Sequence, residues 1–466
     1  MKKYLILIGL ITTLISCEDQ LDRTPDDTLI SETAYKTVAD LADGVNGIYT
    51  NYNPNVVIDI NEIYTDNARI GKDNGGQKLS ILNQILNTQT NSGGIWISSY
   101  GTANDCNRII EAAEIITVEE GEQQQLDNLL AQAYGLRALM HYRTLVYYGE
   151  DLTNPEALGV PYQEEVLTGG NLTRLTTQQT VDKITEDLNT ANSLLSDGFN
   201  DKFSVTKDFV SFVKARLALV TEDWPGVISN TNDLIADYPL ANQQQYLDMF
   251  AGDTDQTEVI FAYDNVNGFN RSIAGEFIFT GTGGNFIGMA RGLYDELVAA
   301  NDVRFAVNYD TESDFPDEIT INKYPSGGGT YVNDFKLMRI SEAYLMRAEA
   351  YARDGGQFQQ AAEAVQAVRN ARSGANDTAS AYSSLSDAIN DIKLERRLEL
   401  CFEGHRYLDL KRYRNIVNEG IVRDPRDCDG NIPCNLPVND RRWVFPIPQA
   451  ETNGNADIQQ NPEWAN

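Results

Sequence analysis

The segment "ERRLELCFEGHRYLDLKRY", residues 395–413, gathers three glutamates, four arginines, a cysteine and one of the two histidines of the chain. Such residue types can do acid–base work, supply a thiolate, or fork onto carboxylates. Their spacing argues for packing instead. On a helix, Leu394, Leu398 and Cys401 recur at i, i+4 and i+7, with Leu408 beyond them, which makes an apolar stripe. Arg396 and Glu399, Glu403 and Arg406, and Arg406 and Asp409 stand three apart, the spacing of local ion pairs. Glu395 and Glu399 stand four apart and repel unless arginines of this or another element come between them. The pattern predicts a salt-bridged helix, a break near Gly404 and a restart at Tyr407. His405 falls at that junction as a hydrogen-bonded packing residue rather than a base.

The rest of the chain offers little catalytic chemistry. With only His141 and His405, a His-based zinc site or a Ser-His-Asp triad is not expected, and no metal or cofactor is assigned. "SGGGTY" lacks the lysine of a phosphate loop. "DPRDCDGN" resembles a calcium loop only superficially. Placing Gly430 sixth puts Pro425 first and Leu436 twelfth, so both key ligands fail. A glycosidase needs only two carboxylates, but no motif among the 68 acidic residues singles out a pair.

Composition narrows the partners. The formal charge is −31, unsuited to nucleic acid or anionic lipid. Lys2 and Lys3 precede the 13 apolar or hydroxyl residues 4–16, too short to span a bilayer, which reads as a secretory signal over residues 1–16. Cys17 follows Leu14-Ile15-Ser16, a stretch that resembles a bacterial lipobox. That resemblance implies cleavage before Cys17 and a lipid on its thiol as the only membrane anchor. In such an oxidising compartment Cys428 and Cys434, which bracket "DGNIP", are a candidate disulfide, while Cys106 and Cys401 fall in helical patterns as buried thiols.

A period near 3.6 runs through most of the chain in paired segments. Residues 31–52 read as a helix capped by Ser31, followed by helices at 96–116, 123–148, 177–195, 207–222, 224–237, 335–354, 358–372 and from 386 to 401 or beyond. "AQAYGLRALMHY" and "ISEAYLMRAEAY" share Ala-Tyr-x-x-Arg-Ala. Small residues on one helix let a neighbour pack closely, and repeated helical pairs of about 30 residues point to a tetratricopeptide-like scaffold. The fold class is therefore mainly α, an α-α superhelix over 31–238 and 335–416. Residues 239–329 form a loop-rich insertion with a few short strands, and 417–466 an extended C-terminal segment. Long irregular regions on a helical scaffold tend to carry recognition.

"LERRLELCFEGHRYLDLKRY" resembles the C-terminal signature of the SusD/RagB family of surface lipoproteins. The lipobox, "IWISSYGTANDCNRIIE", "AQAYGLRALMHYRTLVYYGEDL", "DFKLMRISEAYLMRAEAYAR" and "RRWVFPIPQAETNGNADIQQNPEW" match in order, so the resemblance covers the whole mature chain, 17–466, as one domain. It implies an outer-membrane, outward-facing protein that captures oligosaccharide or polysaccharide. The cargo would pass, without covalent chemistry, to a SusC-like TonB-dependent transporter over which the lipoprotein acts as a lid. A RagB-like system for oligopeptides is the alternative, and a glycoside hydrolase a remoter one.

Sugar capture of this kind stacks an aromatic face on the ring and reads hydroxyls with Asn, Asp, Arg and Gln. The four tryptophans, Trp96, Trp224, Trp443 and Trp464, fall at structural places, so stacking would use Phe or Tyr. The candidates are Phe269, Phe277, Phe279 and Phe286 with Asn270 and Arg271 in the insertion, and Asp66, Asn67, Arg69, Asp73 and Asn74 in the loop 66–78.

Overall fold

The computed structural model describes residues 34–167, 169, 171–265, 272–277, 284–313, 316–325, 332–428 and 432–465. Helix α1 (Val38–Asn51) is capped by Thr37, and the expected cap, Ser31, lies outside the described residues. The Thr37 hydroxyl accepts from the Asp40 amide and the Asp40 carboxylate accepts from the Thr37 amide, a reciprocal cap. Val38, Leu41, Val45 and Ile48 form its buried stripe. Each such side chain contributes about 1.5–3 kcal/mol on leaving water.

Helix α2 (Asn55–Ile58) runs straight into a π-helical turn, Asp59–Ile63, and α3 (Leu79–Leu82) is a single turn. Then come α4 (Gly93–Ala113), α5 (Gln123–Tyr148), α6 (Thr177–Leu194), α7 (Lys207–Val220) and α8 (Trp224–Asp237). Helices α4 and α5, α5 and α6, and α7 and α8 pack as neighbours. The shared motif explains how. Ala133 and Ala138 on α5 are fully buried, and Arg137 beside them clamps Asp187 of α6 with two bonds of 2.7 Å.

The insertion is less irregular than its sequence suggests. Asn242 caps α9 (Gln243–Ala251) with a reciprocal Gln245 bond, and α10 (Ala274–Phe277), α11 (Arg291–Ala300) and α12 (Val303–Asn308) follow. Strand β1 (Ala68–Ile70), from the early loop, pairs antiparallel with β3 (Ile287–Met289) of the insertion. Strand β2 (Val259–Tyr263) pairs antiparallel with β4 (Phe335–Arg339). The helix expected over 335–354 is therefore wrong in its first turn. Residues of β4 are buried on every side, so they show no alternation, and α13 (Ile340–Arg353) begins only after them.

Helices α13, α14 (Phe358–Ser373) and α15 (Leu385–Leu400) enclose a second core around Leu345, Val365, Val368, Ile389 and Ile392. Chain reversal before α16 (Arg406–Val417) uses Gly404 at φ +90°, a conformation that excludes most side chains. The C-terminal segment is not simply extended. It forms the β5 (Ile421–Val422) and β6 (Asn435–Leu436) pair and the short helix α17 (Gln449–Gly454).

The charged motif is where this scaffold closes, but its pairs differ from those its spacing suggested. None of the three i, i+3 pairs forms as an ion pair. Arg396 reaches Asp409 at 2.8 Å, Arg406 reaches Asp66, and Glu403 takes Arg339 of β4 at 2.7 Å. Glu399 accepts from Arg339 at 2.8 Å and from Arg372 of α14 at 2.8 and 2.9 Å, and both arginines also hold Glu258. Arg304 of α12 stands between Glu395 (2.5 Å) and Glu399 (3.7 Å), which relieves their repulsion. Leu394, expected in the packing stripe, is 37% exposed because the buried face of α15 is given to these charges. Burial pushes the Glu399 carboxyl up, but Arg372, Arg339 and Arg304 hold it well below the usual range. Removing one partner of a buried pair strands the others, at about 3–5 kcal/mol. Glu399→Ala is expected to lower the unfolding free energy in urea by about that amount. Lys183→Ala, which breaks the solvent-exposed pair with Glu164, should change it by under about 1 kcal/mol.

Candidate functional site

The loop after β1 and the insertion meet on one face. Gly71 donates to the Phe286 carbonyl at 3.0 Å and Asp73 to that of Asn285 at 3.2 Å, extending the β1–β3 ladder. The two backbones come so close that a Cβ on Gly71 would lie 2.1 Å from the Asn285 oxygen. Asn74 locks the turn, donating to the carbonyls of Gln77 and Phe286, each at 2.8 Å, and accepting from the Gly76 amide. The turn ends on Lys78 at φ +56°, which aims its ammonium back at the π-helical turn.

There Lys78 bridges two carboxylates, Asp59 at 2.7 Å and Glu276 of α10 at 2.6 Å. Asn55 donates to Glu276 at 2.6 Å. Two acceptors in this cluster, Asn55 Oδ1 and Asp59 Oδ1, are shielded yet have no partner among the described residues. Burial raises the Asp59 carboxyl to about 6, with Lys78 opposing and Glu276 adding to the rise. A π-turn often marks a functional position, because it displaces one side chain from the helical register. The cluster has unspent acceptors, so it suits a ligand rich in donating hydroxyls.

Asp66, Asn67 and Arg69 do not belong to this face. Asp66 accepts from Arg406 at 2.7 and 2.8 Å, and although its burial opposes ionisation, Arg397 and Arg406 hold its pKa well down. Asn67 joins Arg397 (2.9 Å) to Glu62 (2.7 Å). Arg69 donates to the Asp317 carbonyl at 2.8 Å beside Asp427. All three are buried; Asp66 and Asn67 anchor the loop to α15 and α16, and Arg69 ties it to Asp317 and Asp427. Phe277 is also buried, edge-on to Phe402 at 5.6 Å between ring centres. Phe286 is half-buried against the main core, and Asp73 and Asn74 sit in the turn that carries Lys78. Phe269, Asn270, Arg271 and Phe279 lie outside the described residues. Cys428 and Cys434 form a disulfide with Cα atoms 5.4 Å apart, and Cys106 and Cys401 are buried thiols.

Asn55, Asp59, Lys78 and Glu276 were not singled out by sequence. Glu276 lies 221 residues from Asn55, so only the folded chain joins them. Asp59 lies between the first helix and the loop 66–78, in a stretch for which the sequence suggests no role. The tryptophans are structural: Trp96, Trp443 and Trp464 donate inward to Glu451, Pro437 and Val444, and Trp224 lies under Arg353. Among the described residues no aromatic side chain is fully exposed.

Two family models match the chain. One, described as starch-binding and associating with the outer membrane, covers residues 19–219, and the SusD family model covers residues 313–464. SusD-like protein P2 of Formosa agariphila is 24% identical over 99% of both chains. A SusD superfamily crystal structure from Bacteroides thetaiotaomicron superposes with a TM-score of 0.76 at 21% identity, over 91% of this chain and 100% of that one. A surface glycan-binding protein A from the same organism, solved with laminarihexaose, gives 0.70 at 18% identity over 91% and 100%.

The raised carboxyl of Asp59 has a consequence for stability. Its unfolded value is about 3.9, so its contribution is fully present below pH 4 and is lost as pH rises through about 6. Asp59→Asn should remove that component. Between pH 4 and 7 the wild type should lose roughly 2–3 kcal/mol relative to the variant, read from paired urea titrations at each pH.

Proposed function

The chain is a SusD-like protein, and from that premise we propose that it is a cell-surface glycan-binding lipoprotein. It captures oligosaccharide or polysaccharide and hands it, unreacted, to a SusC-like TonB-dependent transporter. The observation that carries this reading is the Asn55–Asp59–Lys78–Glu276 cluster, where two shielded acceptor oxygens lack donors among the described residues. A sugar ring offers hydroxyl donors at the spacing of such groups, and an aliphatic or purely anionic ligand does not. The relatives' names support a carbohydrate ligand, and the outer-membrane description of one family model agrees with a lipid on Cys17 as the anchor. No helix among the described residues is long and apolar enough to cross a membrane.

A non-catalytic role fits the carboxylates. Those of the motif are buried and tied to arginines, so they do not reach substrate. The paired glutamate and aspartate of the loop face are bridged by Lys78 rather than set across a cleft.

The test is titration calorimetry of the detergent-solubilised full chain against neutral oligosaccharides, with reducing ends assayed in parallel. At least one glycan should bind and no reducing ends should appear. Asn55→Ala and Glu276→Ala should each weaken that glycan about three- to tenfold, one hydrogen bond's worth, while the protein stays folded. Silence toward every glycan with binding of oligopeptides, or a steady release of reducing ends, would overturn the proposal.

A further inference from the structure

A second polar enclosure lies inside the scaffold, with Val57 of α2 on its wall. A cavity of about 70 Å³ opens where α5, α7, α13, α15 and α16 meet around the charged motif. About 10–15 Å³ holds one water, so there is room for a small ion with part of its hydration shell but not for a sugar ring.

Its walls carry an excess of positive charge. Arg216 spends its fork on Glu342 at 2.9 and 2.6 Å. Arg412 is held by Glu349 and Asp409. Glu403 is taken by Arg339 and Lys323 from its other side. Arg396 gives Nε to Asp409, yet its Nη1 has no partner among the described residues although the residue is 2% exposed. Arg143 is the odd cation. It has no carboxylate among the described residues, donates only to Ser99 (2.8 Å) and Ser98 (3.0 Å), and lies over the Tyr52 ring at 5.3 Å. Its Nη1 also has no partner among the described residues. Every carboxylate on the wall already has a cation, so the surplus charge of Arg143 is uncompensated. His405 completes the wall, and burial with nearby Arg216 and Arg396 against Glu342 leaves its imidazole neutral, at about 4.

We propose that this cavity binds a small monovalent inorganic anion, chloride in ordinary buffers, on the free Nη1 groups of Arg143 and Arg396. Guanidinium N–H groups in a water-poor setting are strong donors to an anion. The ion neutralises the surplus charge and joins α5 of the helical scaffold to α15 of the motif. It binds the folded chain alone, so it stabilises by mass action. Chloride at ten times its dissociation constant multiplies the folded-to-unfolded ratio about elevenfold.

The test uses the detergent-solubilised full chain. Thermal unfolding is followed while chloride replaces gluconate at constant ionic strength, and crystals soaked in bromide are measured at the bromine edge. Tm should rise with chloride and saturate, and an anomalous peak should sit between Arg143 and Arg396. Arg143→Gln, which can still donate to the serines, should lose both the peak and the chloride-specific rise. Equal Tm in chloride and gluconate, or density for water alone with no anomalous peak, would overturn the proposal. Because the cavity excludes a sugar ring, this outcome is independent of the glycan assay.

Discussion

The fold depends on burying Glu399. A carboxylate with no exposure to water must be matched by cations that are themselves buried, and here they come from far along the chain. Arg339 arrives on β4, Arg372 on α14 and Arg304 on α12, while Glu258 shares the first two and Glu403 shares Arg339. None of these elements can shift without stranding a charge. The lattice thus fixes how the last helical pair, the insertion and the β2–β4 ribbon sit together. Its contribution is to specificity of arrangement more than to net stability, since the cost of drying so many charges is large.

That fixed arrangement is what lets the loop face be built from remote pieces. Asp66 and Asn67, held by Arg406 and Arg397, pin the start of the early loop to the motif. Strand β1 then pairs with β3, and the turn closed by Asn74 delivers Lys78 to Asp59 and Glu276. Asp66, Asn67 and Arg69, which seemed suited to read hydroxyls, are therefore the ones that hold the loop, and the polar group on the loop face is Asn55, Asp59, Lys78 and Glu276. The anion cavity belongs to the same logic, because Arg143 and Arg396 bring charge to a junction where the carboxylates are already committed.

Much of the scaffold was legible in the sequence because it repeats. Apolar residues at a 3.6 period placed most helices within a few residues, and the shared Ala-Tyr-x-x-Arg-Ala string placed fully buried alanines on α5 and α13. The charged motif was rightly read as packing, with its break at Gly404. What stayed hidden has a common cause: the partners are not local. Spacing suggested Arg396 with Glu399, but Asp409 across the turn is the one Arg396 meets. The β4 strand was absorbed into a helix because full burial removes alternation, and α9 was missed because its cap, Asn242 with Gln245, lies in a polar stretch. Asp66 and Arg69 read as ligand-facing loop residues, and their partners come from α15, α16, Asp317 and Asp427, more than 240 residues away in sequence.

The central claim is that the motif holds the chain together while ligand meets the loop face. Hydrogen–deuterium exchange of the full chain with and without a bound oligosaccharide tests it most directly. The account predicts new protection in peptides spanning 55–59, 72–78 and 272–277, with the peptide over 395–413 slow to exchange and unchanged. Ligand-induced protection within 395–413, with none at the loop face, would contradict it.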